Sequence, residues 1–551
     1  MIDSCAAGQG GGIYCIDNAN PHIKNSSIIG NWAGLGGGIG CSNSDPIIEN
    51  NIIMGNWAPT GGAGGGIYCY ISSSWISYNI ICENSSSDGG GVYCNMSDLI
   101  IEYNIMYENI AGDGSGIFLE DWSNPVIKNN IFRLNECGAE GGGIYSDDLS
   151  TSIIVNNLII ENSSTEGGGI ISQWSNDSEI YNNVIIKNSA IWGGGIDLMN
   201  DTNTYLANNT ICYNSADYLG GGIYRSGAAS FYVSSCIIWD NIPEQIYSTN
   251  IQATYSNIQY GWPGIGNIEE YPAFVDTSHN DYRLLWGSPC IDSGNPHPQH
   301  NDPDGTRADM GAFYYDQSMP VRILLTPHEI PYLIPEIGGS MDYTIRATNI
   351  DSVAQVTIVW CDATLPDSIV YGPVLGPVTV TLGAGTTIER IRTQAVPGAA
   401  PMGVYHYNAY AVVGADTSKD SFMFGKLGTT GGDRTVGWAN SGDPLVGPIA
   451  TIAHTKPSPK EFSLCPAYPN PFNATTTIRF DLPVAGWVKL EVFDIGGREV
   501  GSAQGRPLRE GWMEAGSHEV TFNGLGLASG VYVYRLEAGN YTASEKMVLM
   551  K

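Results

Sequence analysis

The sequence predicts an all-β chain: a right-handed parallel β-helix followed by two β-sandwich domains of Ig-like type. Three observations predict it. One phrase recurs nine times between residues 1 and 245. Its apolar positions are mostly Ile and Val, set between Gly and Asn turns. The second half then changes to longer stretches of strict apolar–polar alternation.

The solenoid follows from the period. The residue closing each glycine cluster is Ile13, Ile39, Ile67, Val92, Ile117, Ile144, Ile170, Ile196 and Ile223, at intervals of 25 to 28 residues. Asn51, Asn79, Asn104, Asn130, Asn157, Asn183 and Asn209 keep step. Each lies five residues before a second marker, Asn56, Asn84, Asn109, Asn135, Asn162, Asn188 and Asn214. Two markers locked to one period define a repeat architecture. Leu is too scarce for a leucine-rich repeat, and units rich in Gly, Asn and Ser do not form helical repeats. Short β-branched runs between such turns read as strands, three to a coil. Parallel crossovers are right-handed. Nine coils at about 4.8 Å each would span roughly 40 Å.

Within the coil, each position acquires a direction. Ile28, Ile53, Ile81, Met106, Phe132, Ile159, Ile185, Ile211 and Ile238 form a large apolar column expected to point inward. Cys15, Cys41, Cys69 and Cys94 form a second inward column, continued by Ser146 and Ser172. It reads as a stacked, reduced core ladder, with a metal site or a cross-coil disulfide as the alternatives. The asparagines are expected at turns, where Asn tolerates left-handed backbone and can stack in amide ladders. The glycines are expected where a side chain would not fit.

Charge and composition restrict the partners. The chain carries a net charge of −31, with five Lys or Arg in residues 1–260. That argues against a nucleic-acid backbone or an anionic membrane. Low charged content with abundant Asn, Ser, Thr and Gly suits an extracellular β-protein. No stretch is long and apolar enough to cross a bilayer. The opening "MIDSCAAGQGGGIYC" starts inside a coil, so a signal peptide and further coils are expected ahead of it. A monomer is expected.

The remaining elements follow in order. Residues 1–317 comprise the β-helix, with irregular closing coils after Asn241. Residues 318–429 alternate as a β-sandwich, in "MDYTIRATNI" and "GVYHYNAYAVVG". Residues 430–461 are rich in Gly, Pro and Thr and read as a linker. Residues 462–551 form the last domain. Its pieces Tyr468-Pro469-Asn470-Pro471, Asp494-Ile495-Gly496-Gly497-Arg498-Glu499, Gly530-Val531-Tyr532 and Lys546-Met547-Val548-Leu549 resemble the C-terminal sorting domain of cargo proteins of the bacterial type IX secretion system. The resemblance implies a small β-sandwich read by an outer-membrane translocon, and release or attachment at the surface of a Gram-negative-type bacterium. The repeats in turn resemble the pectin-lyase-like β-helix superfamily. That implies the fold and a bias toward polysaccharides, but not catalysis.

No catalytic constellation is legible. Lyases need a base beside a carboxylate-bearing substrate, and hydrolases need carboxylates facing one cleft. His22, Lys24, Lys128, Arg133, Lys187 and Arg225 fall in different columns. Asp147 and Asp148 are adjacent and alternate in direction, and Asp197 faces outward with no basic neighbour in its column. A non-catalytic binder of polysaccharide or cell-surface glycan is therefore expected, with a polysaccharide lyase or glycoside hydrolase as the alternative. Two sets of residues are candidates. Tyr68, Tyr93, Phe118 and Tyr145 follow the glycine-cluster residue in successive coils. They are expected to stack outward, as a platform for sugar rings or simply as mutual support of the sheet. Asp302, Asp304 and Asp309 crowd one Asp-Gly turn, which is either a calcium site or a turn capped by its own carboxylates.

Overall fold

The computed structural model describes residues 1–446 apart from 60, 148, 175–177, 200–203, 228–230 and 249. It also describes 462–550 apart from 465–466, 468–469, 484–485, 501–507, 514–515 and 540. Residues 1–446 form one unit and 447–551 a second.

The first unit opens as a β-solenoid of about nine turns, all of its long ladders parallel. The coil Ile67–Gly91 is representative. Ile67–Tyr70 joins a first sheet, Trp75–Ser77 a second and Ile80–Cys82 a third. Two corners are turned by single left-handed residues, Tyr78 at φ 56° and Glu83 at φ 55°. After Asn84 the chain makes a short outward arm, Ser85–Asp88, before the glycine cluster returns it to the first sheet. The inward columns are as expected. Ile53, Ile81, Met106, Phe132, Ile159, Ile185 and Ile211 are wholly buried in a continuous core. Cys41, Cys69 and Cys94 stack in register there, and the described cysteines are free thiols.

The asparagine markers are buried amide ladders. Asn56, Asn84, Asn109, Asn135, Asn162, Asn188 and Asn214 each donate Nδ2 to the Oδ1 of the next ladder member at 2.8–3.0 Å. The left-handed residue lies one position before the marker, at Glu83, Glu108, Leu134, Glu161, Lys187 and Tyr213 in this ladder, and at Tyr78, Tyr103, Asn129, Asn156, Asn182 and Asn208 in the ladder that begins with Asn79. The marker itself has ordinary backbone and uses its side chain to hydrogen-bond the groups left bare at the corner.

The outer face of the third sheet is covered. Ile52, Ile80, Cys82 and Ile105 pack against Val404 and Leu333 of the following domain. Ile160, Val184, Ile186, Cys212 and Ile237 pack against Phe274, Tyr282, Leu284, Cys290 and Met310. The segment after Asn241 therefore does not merely stack as closing coils. Most of it folds back along the flank of the solenoid, because that face is apolar and would otherwise meet water.

The domain after the solenoid is two mainly antiparallel sheets enclosing one apolar core, with Tyr332–Ile334 paired in parallel to Asp416–Lys426. Val321–Pro327, Gly338–Asn349, Thr387–Pro397 and Asn440–Gly442 form one sheet. Tyr332–Ile334, Asp416–Lys426, Gly403–Val413, Gln355–Thr364 and Val370–Leu382 form the other. The strand Asn440–Gly442 corrects the sequence reading. Part of the expected linker is a sheet edge, and Leu445 lies in the core. Asn440 holds it there by hydrogen bonds to Tyr343, Gln394 and Tyr407, contacts that local Gly and Pro content does not reveal. Residues 447–461 lie outside the described residues.

The second unit is a separate pair of antiparallel sheets, of three and four strands, around Phe480, Leu490, Tyr534, Met547 and Leu549. Asn470 clasps the last strand, accepting from Val548 N at 2.9 Å and donating to Lys546 O at 3.2 Å. Tyr468 and Pro469 lie outside the described residues. Asp494 accepts from Gly496 N and Arg498 N at 2.9 and 3.0 Å, closing the tight turn of its motif.

Candidate functional site

The predicted aromatic column is in register and outward from the lumen. Tyr68 and Tyr93 stack at 5.3 Å, Tyr93 and Phe118 meet edge-on at 5.6 Å, and Phe118 and Tyr145 stack at 4.6 Å. They do not form an exposed platform. Tyr93, Phe118 and Tyr145 are 8%, 6% and 4% exposed. The outward arms roof them. A left-handed glycine ends each arm and lays it on the ring column, so that a Cβ on Gly89, Gly114 or Gly141 would sit 2.4–2.6 Å from the Cβ of Tyr93, Phe118 or Tyr145. The hydroxyls are committed as well. Tyr93 donates to Glu120, and Tyr145 donates to Glu140 Oε2 at 2.5 Å. These rings support the sheet.

The roof carries a row of acids. Asp88 pairs with Asp113 on successive arms, and Glu140 with Glu166. Burial pushes the Asp88 carboxyl up to about 6 and raises Asp113 and Glu166. In the ring column itself, Asp197 stands between Ile171 and Tyr224. It is outward from the lumen as expected, yet wholly buried, and neither carboxylate oxygen has a hydrogen-bond partner. Burial first, and then Glu166 and Glu140, hold its pKa well above the carboxylate range. A sealed carboxyl cannot reach a polymer, so its role there is structural. Asp148 lies outside the described residues. The bases are dispersed. His22 pairs with Glu49, Lys128 with Glu102 and Arg133 with Glu161, while Arg225 is buried over the Phe231 ring.

The acidic turn is capped by its own side chains. Asp302 Oδ2 accepts from Asp309 N at 2.9 Å, Asp304 from Thr306 and Gln317, and Asp309 from the backbone of Asp292 and Tyr315. Burial and mutual repulsion push Asp302 up to about 7 and Asp309 up to about 6. Among the described residues no group of three His, Cys, Asp or Glu is placed to hold a metal ion. Chelation with EDTA is expected to leave the melting temperature unchanged. A drop that Asp304→Ala abolishes would restore the calcium reading.

An exposed apolar ridge runs along the corner between the first and second sheets. Ser72, Ser97, Ser123 and Ser150 form a hydroxyl ladder, each backbone N–H donating to the next Oγ at 3.0–3.2 Å. The residue before each serine projects outward: Ile71, Met96, Trp122 and Leu149, then Trp174 one coil on. They are 44%, 40%, 59%, 44% and 52% exposed. All five hold left-handed backbone, at φ 46–62°. Bulky side chains there are strained, and Gly or Asn would be easier. Trp75 and Ile100, also exposed, widen the strip. The signal was available in the sequence, as an apolar residue directly before Ser in successive coils. It lies between the glycine and asparagine markers, to which the columns followed in the sequence were keyed.

Fold and surface thus define a class: a β-helix protein with an appended sandwich and a separate terminal domain. Two families identify parts of it. Right handed beta helix region matches residues 11–185, and Secretion system C-terminal sorting domain matches residues 466–550. The chain is therefore a secreted or cell-surface β-helix protein carrying a type IX sorting domain. No curated protein matches it. Among solved structures, red sea bream transglutaminase aligns at 12% identity with a TM-score of 0.16, over 43% of this chain and 32% of that one. The chain thus spans about a third of that protein, and the likeness carries no argument. Among the described residues no helix is long and apolar enough to cross a membrane.

Proposed function

We propose that this protein is a non-catalytic adhesin that acts as a monomer and binds an uncharged polysaccharide at a cell surface. The exposed ridge carries this reading. Five bulky apolar side chains occupy strained positions in water, where they favour neither stability nor solubility. Such strain and exposure are usual at binding surfaces. Aromatic faces stack on the apolar faces of sugar rings. Asp45, Asp98 and Asp121 flank the ridge, which disfavours anionic polymers.

The test is retention on insoluble neutral and acidic polysaccharides. Trp122→Asn with Trp174→Asn is expected to lower retention on the neutral polymer at least tenfold. Asn suits left-handed backbone, so the melting temperature should hold or rise. Unchanged retention in the double variant would remove the ridge from the reading. A second reading, glycoside hydrolysis, draws on the acid row Asp88, Asp113, Glu140 and Glu166. It predicts new reducing ends that disappear in Glu140→Gln, and such products would overturn the non-catalytic reading.

A further inference from the structure

The two tryptophans of the ridge stand two coils apart. Ser97 N donates to Ser123 Oγ and Ser123 N to Ser150 Oγ, which places Met96, Trp122 and Leu149 on successive coils. Leu149 N donates to Trp174 O at 3.2 Å, so Trp174 lies one coil further. Neighbouring strands are about 4.8 Å apart, and two coils therefore separate Trp122 from Trp174 by roughly 9.6 Å along the solenoid axis. These two are the most exposed of the five ridge side chains. Leu149 between them, and Met96 and Ile71 before Trp122, carry no ring.

A polar column runs beside the ridge. Ser73, Asp98, Asn124 and Thr151 each follow one of the first four ridge residues by two positions. They are laced together from coil to coil. Asp45 Oδ1 accepts from Ser73 N at 2.6 Å, Asp98 Oδ1 from Asn124 N at 3.1 Å and Asn124 Oδ1 from Thr151 N at 3.2 Å. Asp45, Ser73, Asp98 and Asn124 are exposed. A carboxylate has four acceptor sites and a side-chain amide both donates and accepts, so the column has room for further hydrogen bonds. An apolar row and a hydrogen-bonding row thus lie side by side, both with the period of the coil.

Building on the ridge as a polysaccharide-binding surface, we infer that its ligand is a flat, uncharged ribbon of sugars joined by equatorial β-1,4 linkages, lying along the solenoid axis. In such a chain each sugar is turned over relative to the last. Every second sugar therefore presents the same face, and the two-sugar repeat is about as long as the separation of Trp122 from Trp174. Each indole stacks on the C–H face of one sugar. The sugar between them is turned over and lies on Leu149, an apolar contact without a ring. The equatorial hydroxyls leave the ribbon sideways and meet Asp98 and Asn124. A chain with axial linkages coils, and its sugars do not return to one face at this interval. A carboxylated ribbon would meet the like charges of Asp45, Asp98 and Asp121.

The experiment is calorimetric titration of the full chain with β-1,4-linked oligomers of glucose, mannose and N-acetylglucosamine, two to five units long. The α-1,4-linked glucose oligomers of the same lengths are the comparison. At least one β-1,4 series is expected to gain about tenfold or more in affinity from the disaccharide to the trisaccharide, the shortest chain that reaches both indoles. The α-linked series should show no such step. Leu149→Trp with Trp174→Leu keeps the apolar content and sets the rings one coil apart. It should keep the melting temperature and the disaccharide affinity and lose the step at the trisaccharide. A step that survives this shift, or an α-linked series bound as well as the β-linked ones, would overturn the inference. So would the absence of a step in every β-1,4 series while neutral polymer is still retained and Trp122→Asn with Trp174→Asn releases it, a result that spares the surface reading. No retention of any neutral polymer would overturn both.

Discussion

Asn109→Ala will lower the stability of the solenoid by about 4 kcal/mol. The Asn109 side chain makes four hydrogen bonds in a wholly buried corner. Its Oδ1 accepts from Asn84 N and Nδ2 at 3.1 and 3.0 Å, and its Nδ2 donates to Ile81 O and Asn135 Oδ1 at 2.9 and 3.0 Å. Alanine leaves the Asn84 N–H and the Ile81 carbonyl without partners where water cannot reach. Each orphaned group costs roughly 1–3 kcal/mol, and the emptied space adds to this. Denaturant unfolding of the first transition measures the loss. Asn31, whose Oδ1 accepts from Cys5 N and from no ladder amide among the described residues, should lose less on the same change. A loss below about 1 kcal/mol at Asn109 would mean that the corner relaxes and that the ladder is not a principal source of stability.

The second expected result is a gain. Asp197→Ile should stabilise the chain, increasingly so as the pH rises. Isoleucine already occupies the same column one coil earlier, at Ile171, so the volume is accommodated. Wild-type Asp197 is buried without a partner and its folded pKa lies well above the ordinary 3.8. The sign follows from proton uptake. The folded state holds a proton that the unfolded chain releases, so the native protein is least penalised below about pH 4. It then loses about 1.4 kcal/mol per pH unit until the folded carboxyl itself ionises. Thermal unfolding of the two proteins from pH 4 to pH 8 gives the comparison. Parallel curves would show that Asp197 is not a proton-holding group. Wild-type stability rising with pH relative to the variant would reverse the sign and require a cationic partner.

Both results concern positions that the repeat itself exposes. An alternation of inward and outward residues is local, and a period of about 26 residues brings equivalent positions into register whatever lies outside the coil. Hence the solenoid, its Ile and Cys columns and the amide ladders were legible from spacing alone. So was the sorting domain, whose motifs are short and contiguous. Coverage of the outward face was not legible. Tyr93, Phe118 and Tyr145 are outward in sequence terms, and they are buried because arms bent by left-handed glycines cross them. For the Asp302 turn the sequence left two readings, a calcium site and a self-capped turn, and its carboxylates accept from backbone amides.

The sequence by itself determined the coil, its register and which side of each strand faces the lumen, because period and alternation depend on neighbours a few residues or one coil away. Only the tertiary structure decided which outward positions meet water. Val404 covers Ile80, and Asp309 meets Asn208, across long stretches of chain that no periodicity links. The ridge at Trp122 is among the outward positions those contacts leave open.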